Sequence, residues 1–574
     1  MNNPTNSINK KIILLFHFVI CCFLIIIGRL IHLQIINEYT MSKRAKQNFL
    51  RLQKIKSYRG EIVDCKKRLI ATNKVIYHLY WQGSGNKTLH TQQIEDIKKV
   101  STLLGKEYFD EKKMHRLHRA EALQKKDILY PNLTHKELCI IAESFPIHKN
   151  MSIQTSLERH YPYQTYASHL IGYISNNQQA CVGKMGIEKL CENSLRGTDG
   201  TYLYAINSFG KHIDQLLIKQ PSIGSCIFTT LDMELQEIAE TVFPLDIIGS
   251  LIVMNPENGA IRALVSRPTF DPGLFLSRIS YSTWDDLQEN NTFLNRAFMP
   301  FPPGSIFKLI TTSAALEQGI INENDTWYCK GYTTFGKRKY YCARKRGHGR
   351  LSLKQAVAQS CNTLFFEIGK KLDIDILADY ARRFGLGQST GISLQEQYGL
   401  VPTREWKKTV KGQQWWPGET LSAAIGQTFL LASPLQIACL IGSIFTRKLI
   451  TPRILENESI MSTDLPIKEE TLHFLKKSMK SVVRRGTGKG IPTIQDLEIF
   501  AKTSTAQISS LEKTAQNKAL LEHGWFAAYF TFKGNNPLVL VLLVEKAGSS
   551  RVPTTIAKQF FLKYKKWMTE QTIV

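Results

Sequence analysis

Ser305 and Lys308 stand three residues apart in PPGSIFKLITTSAALEQG, Pro302 to Gly319. Pro303 and Gly304 break the preceding chain and the run from Ser305 is helix-compatible, so hydroxyl and amine are expected in one first turn, on one face. A serine hydroxyl is a poor nucleophile until a base takes its proton. A lysine in a desolvated cleft near other cations has its pKa lowered enough to be that base, and a helix N-terminus adds favourable potential for an oxyanion. Alone, S-x-x-K is common by chance and marks an ordinary helix start. Here Ser360, Cys361 and Asn362 follow in AVAQSCNTLFFEIGK, and Lys502, Thr503, Ser504 and Thr505 in KTSTAQ. Three short motifs in this order are far more specific than any one of them.

Around them, Gly249 to Met254 (GSLIVM) and Ile261 to Ser266 (IRALVS) are apolar runs joined by NPENGA, which reads as a hairpin. Trp525 to Phe530 (WFAAYF) and Leu538 to Val544 (LVLVLLV) are two further strands, with a helix expected over Thr555 to Met568 and helix-like sequence from Leu351 to Phe384. Strands at both ends of a helical middle predict one α+β domain whose sheet is built from its termini. Upstream, PSIGSCIFTT reads as a strand before Asp232 opens the helical stretch MELQEIAETV.

At 574 residues, 21% charged and 43% hydrophobic, the chain is neither a disordered tail nor a multi-span membrane protein. Its net charge of +26 suits any polyanionic surface, nucleic acid and anionic lipid included. The basic cluster EKKMHRLH, Glu111 to His118, reads as a solvated helix face, and no nucleic-acid motif accompanies it, so no nucleic-acid partner is expected. One segment can enter a bilayer: Ile12 to Gly28 covers ~25 Å of helix, and apolar character continues past Arg29 to Ile36. A cleaved signal peptide is the rival reading, but Arg29 and Leu30 stand where small residues should mark the cut. The flanks leave direction open, with Lys10 and Lys11 before the segment and Lys43, Arg44, Lys46 and Arg51 after it. The expected organisation is a tail over 1–11, an anchor over 12–36, a basic non-catalytic region over 37–245 and a catalytic domain over 246–574.

S-x-x-K, a serine-containing triplet and K-T-G in this order are the signature of class A β-lactamases and penicillin-binding proteins. The chain resembles the class B penicillin-binding proteins over nearly its whole length. RGEIVD (Arg59 to Asp64) with Asn73, RHYPYQTYASHLIGY (Arg159 to Tyr173) and GIEKLCENSLRGTDG (Gly186 to Gly200) resemble the family's membrane-proximal region. GLVPTREWK (Gly399 to Lys407), WPGETLSAAIGQ (Trp416 to Gln427) and Gly347 to Gly349 are most similar to its elongation-specific members rather than the division-specific ones.

That resemblance implies a penicillin-binding, transpeptidase-like domain, an antiparallel sheet flanked by helices, on an elongated mixed α/β pedestal of the dimerisation type. It implies peptidoglycan DD-transpeptidation during wall elongation and shape maintenance, with carboxypeptidase side activity and inhibition by β-lactams. Ser305 would attack the penultimate D-Ala carbonyl of a stem peptide with Lys308 as base. Ser360 would pass the proton to the leaving amine, Asn362 would bond Lys308 or the substrate amide, and Lys502 would hold positive potential over the cleft and the substrate carboxylate, with Thr503 and Thr505 bordering the same strand. The oxyanion hole would be the backbone N–H groups of Ser305 and Thr505. Chemistry needs no cofactor. Implied partners are stem peptides, β-lactams, the membrane, a SEDS-class glycosyltransferase and other elongation proteins, with the N-terminus cytoplasmic and the catalytic domain periplasmic. A catalytically silent regulator that binds β-lactams or wall fragments, or the division-specific class B paralogue, is the alternative. One departure stands out: Ser504 occupies the third motif's usual glycine.

Of 11 cysteines, Cys21 and Cys22 lie in the apolar segment, and the odd remainder of nine argues against a disulfide framework. Cys329, Cys342, His348 and Cys361 cluster between the first two motifs, with gaps of 12, 5 and 12 residues. Three thiolates and an imidazole make a recognised tetrahedral zinc set, so a structural zinc, a Cys329–Cys342 disulfide and unpaired thiols all remain open. If the SCN segment is extended, Cys361 points away from Ser360 and Asn362, and a metal behind it would brace the site. Trp415 and Trp416 read as packing residues, and His523 as no triad histidine, Lys308 being available.

Overall fold

The computed structural model describes residues 4–107, 110–146, 148–177, 180–206, 212–507 and 521–573; residues 1–3 of the expected tail lie outside it. The chain forms two compact units interleaved in sequence. The first comprises Met1–Tyr58, Lys74–Glu158 and Gly197–Gly224, the second Arg59–Asn73, Arg159–Arg196 and Ser225–Val574.

In the first unit, a helix over Pro4–Ile31 continues through a π-helical turn, His32–Ile36. Ile12–Ile36 is thus long and apolar enough to cross a membrane, and no part of it is buried. A three-stranded antiparallel sheet joins Leu50–Ile55, Gly200–Ile206 and His212–Lys219. A separate core gathers Leu79, Trp81, Ile97, Val100 and Leu117. EKKMHRLH lies in a helix, Glu111–Ala122, that turns Leu117, Ala120 and Glu121 inward and leaves its lysines and arginines exposed, as a solvated face should.

In the second unit, α1 (Met233–Val242) is capped by Asp232, which accepts from Glu234 N–H at 3.1 Å. The strand expected before it shrinks to Ile227–Phe228, paired with Ile62–Val63. Then come β1 (Gly249–Met254), β2 (Ile261–Arg267), α2 (Lys308–Glu317), α3 (Leu353–Ala358), α4 (Asn362–Lys371), α5 (Ile374–Arg383), α6 (Pro434–Thr446) and α7 (Glu469–Arg485). The chain closes with β3 (Leu497–Ala506), β4 (His523–Phe532), β5 (Asn535–Val544) and α8 (Arg551–Ile573). The sheet is antiparallel in the order β2-β1-β5-β4-β3, so the hairpin and the terminal strands meet as expected, with β3 on the edge.

Both faces of this sheet are covered, which is why LVLVLLV reads as an unbroken apolar run. Val539, Val541 and Leu543 enter one core with α2 to α7, while Leu540 and Leu542 enter another with α1 and α8. The helix-like stretch Leu351 to Phe384 is three helices, interrupted at Ser360 and at Asp373, which caps α5.

The membrane-proximal motifs converge in this unit on one buried carboxylate. Glu188 accepts from Arg59 at 2.6 Å, from Arg159 at 2.7 Å and from the Tyr161 hydroxyl at 3.2 Å. Glu192 takes a second Arg59 bond at 2.8 Å, and Asn73 donates to the Arg59 carbonyl at 2.6 Å. Segments far apart in sequence are thereby tied by charge as well as by packing.

Candidate active site

A short 3-10 turn, Gly304–Ile306, carries Ser305 into α2. Gly304 sits at φ +52 and donates to the Gly426 carbonyl at 3.0 Å; Gly426, at φ +74, comes so close that a Cβ there would lie 2.1 Å from the Gly304 oxygen. Trp525 pins the same turn, its indole N–H reaching the Pro302 carbonyl at 3.0 Å. Lys308 opens α2, fully buried, one helical turn from Ser305.

The SCN segment is a tight turn between α3 and α4 rather than an extended strand. Ser360 holds a left-handed backbone, φ +54, and Cys361 is the extended N-cap of α4. A serine held there is strained, and its surroundings hold it. The turn still divides the residues as expected: Ser360 and Asn362 face Lys308, and Cys361 is buried on the other side. Lys308 Nζ donates to the Ser360 carbonyl at 2.9 Å, to Ser360 Oγ at 3.1 Å and to Asn362 Oδ1 at 2.7 Å. Lys502 Nζ reaches the same Ser360 Oγ at 3.2 Å and the Thr503 carbonyl at 2.9 Å. Two amines thus meet on one hydroxyl. Among the described residues no carboxylate lies within 4 Å of either.

Burial pushes Lys308 down to about 8, while Cys361 and Cys342, beyond the turn, pull the other way. Burial and the neighbouring Lys308 charge together hold Lys502 well below the usual lysine range.

On β3, alternation puts Lys502, Ser504 and Ala506 on the α2 side, opposite Ala527, Trp525 and His523. Ser504 Oγ accepts the backbone N–H of Ser305 at 2.6 Å. The hydroxyls of Thr503 and Thr505 point elsewhere: Thr503 meets Thr487, and Thr505 accepts from Ser550 N–H at 3.1 Å. The structure therefore brings together Ser305, Lys308, Ser360, Asn362, Lys502 and Ser504, and leaves those two hydroxyls out. Sequence reasoning missed Gly426, Thr487 and Trp525. Gly426 lies in WPGETLSAAIGQ, whose glycine so near an active-site motif was a usable signal; a hydroxyl pair or an indole clasp leaves none.

Behind the turn, Cys329, Cys342, His348 and Cys361 offer ligand atoms all within 4.8 Å of one another. His348 Nδ1 lies 3.5 Å from Cys329 Sγ and 3.6 Å from Cys342 Sγ. Cys329, Cys342 and Cys361 are free thiols, so the Cys329–Cys342 disulfide is not formed here. Hydrogen bonds from Cys361 and His348 hold the Cys342 thiol down at about 3 although burial opposes it; the same contact pushes Cys361 up, and His348 is raised by its bond to Cys342. Tetrahedral zinc with Zn–S bonds of ~2.3 Å needs sulfurs roughly 3.8 Å apart, which this donor set fits. Cys342 Sγ also accepts the Asn362 backbone N–H at 3.3 Å, tying the cluster to the turn that carries Ser360.

Elsewhere, His523 accepts from Lys546 N–H at 3.3 Å and packs edge-on against Phe301, so it forms no triad with Ser305. Trp415 donates to Thr420 at 2.8 Å as a packing residue, whereas Trp416 is largely exposed.

Two buried amines meeting on the Ser360 hydroxyl, with Ser305 one turn ahead of Lys308 at the edge of a five-stranded sheet, form the arrangement of an acyl-transfer enzyme of the penicillin-recognising kind. Residues 249–562 match the penicillin binding protein transpeptidase domain, and residues 54–229 the penicillin-binding protein dimerisation domain. The chain belongs to the penicillin-binding protein transpeptidase family. Within it the likeness is to PBP2. The peptidoglycan D,D-transpeptidase MrdA of Escherichia coli K12 is 28% identical over 585 residues, covering 93% of this chain and 90% of that one. MrdA of Haemophilus influenzae is 28% identical over 561 residues, covering 90% and 85%. Among solved structures, Helicobacter pylori PBP2 in complex with MreC has a TM-score of 0.74 at 26% identity, covering 90% of this chain and 99% of that one. A chain from a peptidoglycan synthase complex that coordinates polymerization and crosslinking has a TM-score of 0.75 at 26% identity, covering 96% and 97%.

Proposed function

We propose that this chain is the peptidoglycan DD-transpeptidase of wall elongation, reacting through an acyl-Ser305 intermediate that β-lactams also form. The convergence of the Lys308 and Lys502 amines on Ser360 Oγ, 3.1 and 3.2 Å away, carries the reading. Neutral Lys308 takes the Ser305 proton as Oγ attacks the penultimate D-Ala carbonyl. The tetrahedral oxyanion is met by the N–H groups of Ser305 and Thr505. As the C–N bond breaks, Ser360 relays a proton from Lys308 to the departing D-Ala nitrogen, leaving an ester on Ser305. An acceptor amine then attacks the ester, its proton returns through Lys308, and Ser305 Oγ is regained with a new peptide bond formed. Water in place of the amine would give the carboxypeptidase side reaction, a hydrolysis. Asn362 orients Lys308, and Lys502 supplies positive potential on the donor's carboxylate side.

Around this chemistry we place an anchor over 12–36, a non-catalytic pedestal over 37–245 and the transpeptidase domain over 246–574. The N-terminus is cytoplasmic and the catalytic domain periplasmic, since the substrate lies outside. A SEDS-class glycosyltransferase contacting the anchor and pedestal would supply the glycan strands. The likeness to a PBP2 solved with MreC supports further elongation partners. Cys329, Cys342, His348 and Cys361 would hold one zinc, which supplies no chemistry to acyl transfer but fixes the loop behind Asn362. Intact-protein mass spectrometry after penicillin treatment tests the reading: one adduct on Ser305, absent in Ser305→Ala, with crosslinking of stem peptides lost in the same variant. An adduct elsewhere, or crosslinking that survives, would refute it.

A further inference from the structure

An oxyanion hole works by donors set 2.7–3.1 Å from where the oxygen's charge will develop, empty and waiting. In this chain one of the two donors is already engaged: Ser305 N–H is given to Ser504 Oγ at 2.6 Å, a short N–H···O bond. The contact follows from two local features. Strand alternation turns the side chain of position 504 onto the face that carries Lys502, where a glycine would project nothing. The absence of a side chain at Gly304 makes the room, since a Cβ there would lie 2.4 Å from Ser504 Oγ and 3.2 Å from Ala506 Cβ. Ser504 is only 2% exposed, so its hydroxyl has little freedom to turn to solvent instead.

We propose that the Ser504 hydroxyl is a resident occupant of the oxyanion hole, which an incoming carbonyl oxygen must displace before Ser305 is acylated. Residue 504 then governs how fast the site reacts with β-lactam and peptide carbonyls alike. Donors held well by the rest of the cleft displace the hydroxyl readily, while small β-lactams with few other contacts are slowed most. This rests on the acyl-Ser305 reading above. A net hydrogen bond of about 0.5–1.5 kcal/mol, lost from the free enzyme on displacement, converts to roughly a two- to tenfold slower acylation.

The test is stopped-flow acylation of the full chain in detergent by a fluorescent penicillin, for the wild type, Ser504→Ala and Ser504→Gly, with rates normalised to the burst amplitude of folded protein. Ser504→Ala keeps the Cβ and removes only the oxygen; Ser504→Gly removes both. The expected result is a limiting acylation rate constant raised roughly two- to tenfold in both variants, with penicillin affinity before acylation unchanged, a split that a merely structural role for Ser504 would not produce. Equal rates would overturn the proposal, as would slower variants, which would mark the hydroxyl as an extra oxyanion donor. A wild-type protein that forms no adduct on Ser305 would instead overturn the reading of the site itself.

Discussion

The second unit buries positive charge in two places and treats it in opposite ways. Around Glu188, the guanidinium groups of Arg59 and Arg159 are matched by carboxylates at 2.6–2.8 Å. There burial works against the Arg59 charge, but Glu188 and Glu192 outweigh it, so its pKa rises. Around Ser360, two lysines are buried as deeply with no carboxylate partner among the described residues, and both pKa values fall. Compensated charge holds segments together. Uncompensated charge becomes a base at working pH.

Opposite substitutions break the two places differently. Lys308→Met removes the proposed base, and acylation by penicillin should fall about 10²–10⁴-fold, read by the rate of Ser305 adduct formation. Its thermal midpoint should equal or exceed the wild type's, because an unmatched buried amine is replaced by an apolar chain of similar length. Glu188→Ala should do the reverse, costing about 3–5 kcal/mol by stranding two buried guanidinium groups, read by denaturant unfolding, with the acylation rate of protein that remains folded close to normal. If Glu188→Ala leaves stability intact, or Lys308→Met unfolds the domain, the contrast fails. A smaller effect is expected at the thiol cluster. With the zinc proposed above bound there, Cys361→Ser should lower the metal content of the purified chain and reduce the thermal midpoint by a few degrees, as loss of ~1 kcal/mol would in a large domain, checked by metal analysis beside calorimetry.

The catalytic half was readable where chemistry and periodicity are local. S-x-x-K, SCN and KTST name their residues, and the hairpin at Gly249 and the terminal strands follow from apolar runs and turn residues. What escaped depends on partners distant in the chain. Arg59 and Glu188 are 129 residues apart, so their quoted motifs gave likeness without a role. The backbone of Ser360 also escaped, since φ +54 is imposed by the junction of two helices rather than by its own residue type. Ser504 could be seen as a departure from glycine, but not as a partner of Ser305, until β3 was placed at the sheet edge with its side chain turned inward.

The central claim, that an unmatched buried lysine activates Ser305, is tested most directly by the acylation rate as a function of pH. Lys308 acts as a base only when neutral, and its pKa is depressed to about 8, so the rate should rise with pH and level off above about 8. At pH 7 it should stand at about a tenth of its plateau, one pH unit below the midpoint. A rate flat from pH 6 to pH 9, or one still climbing steeply toward the ordinary lysine value of ~10.4, would contradict it.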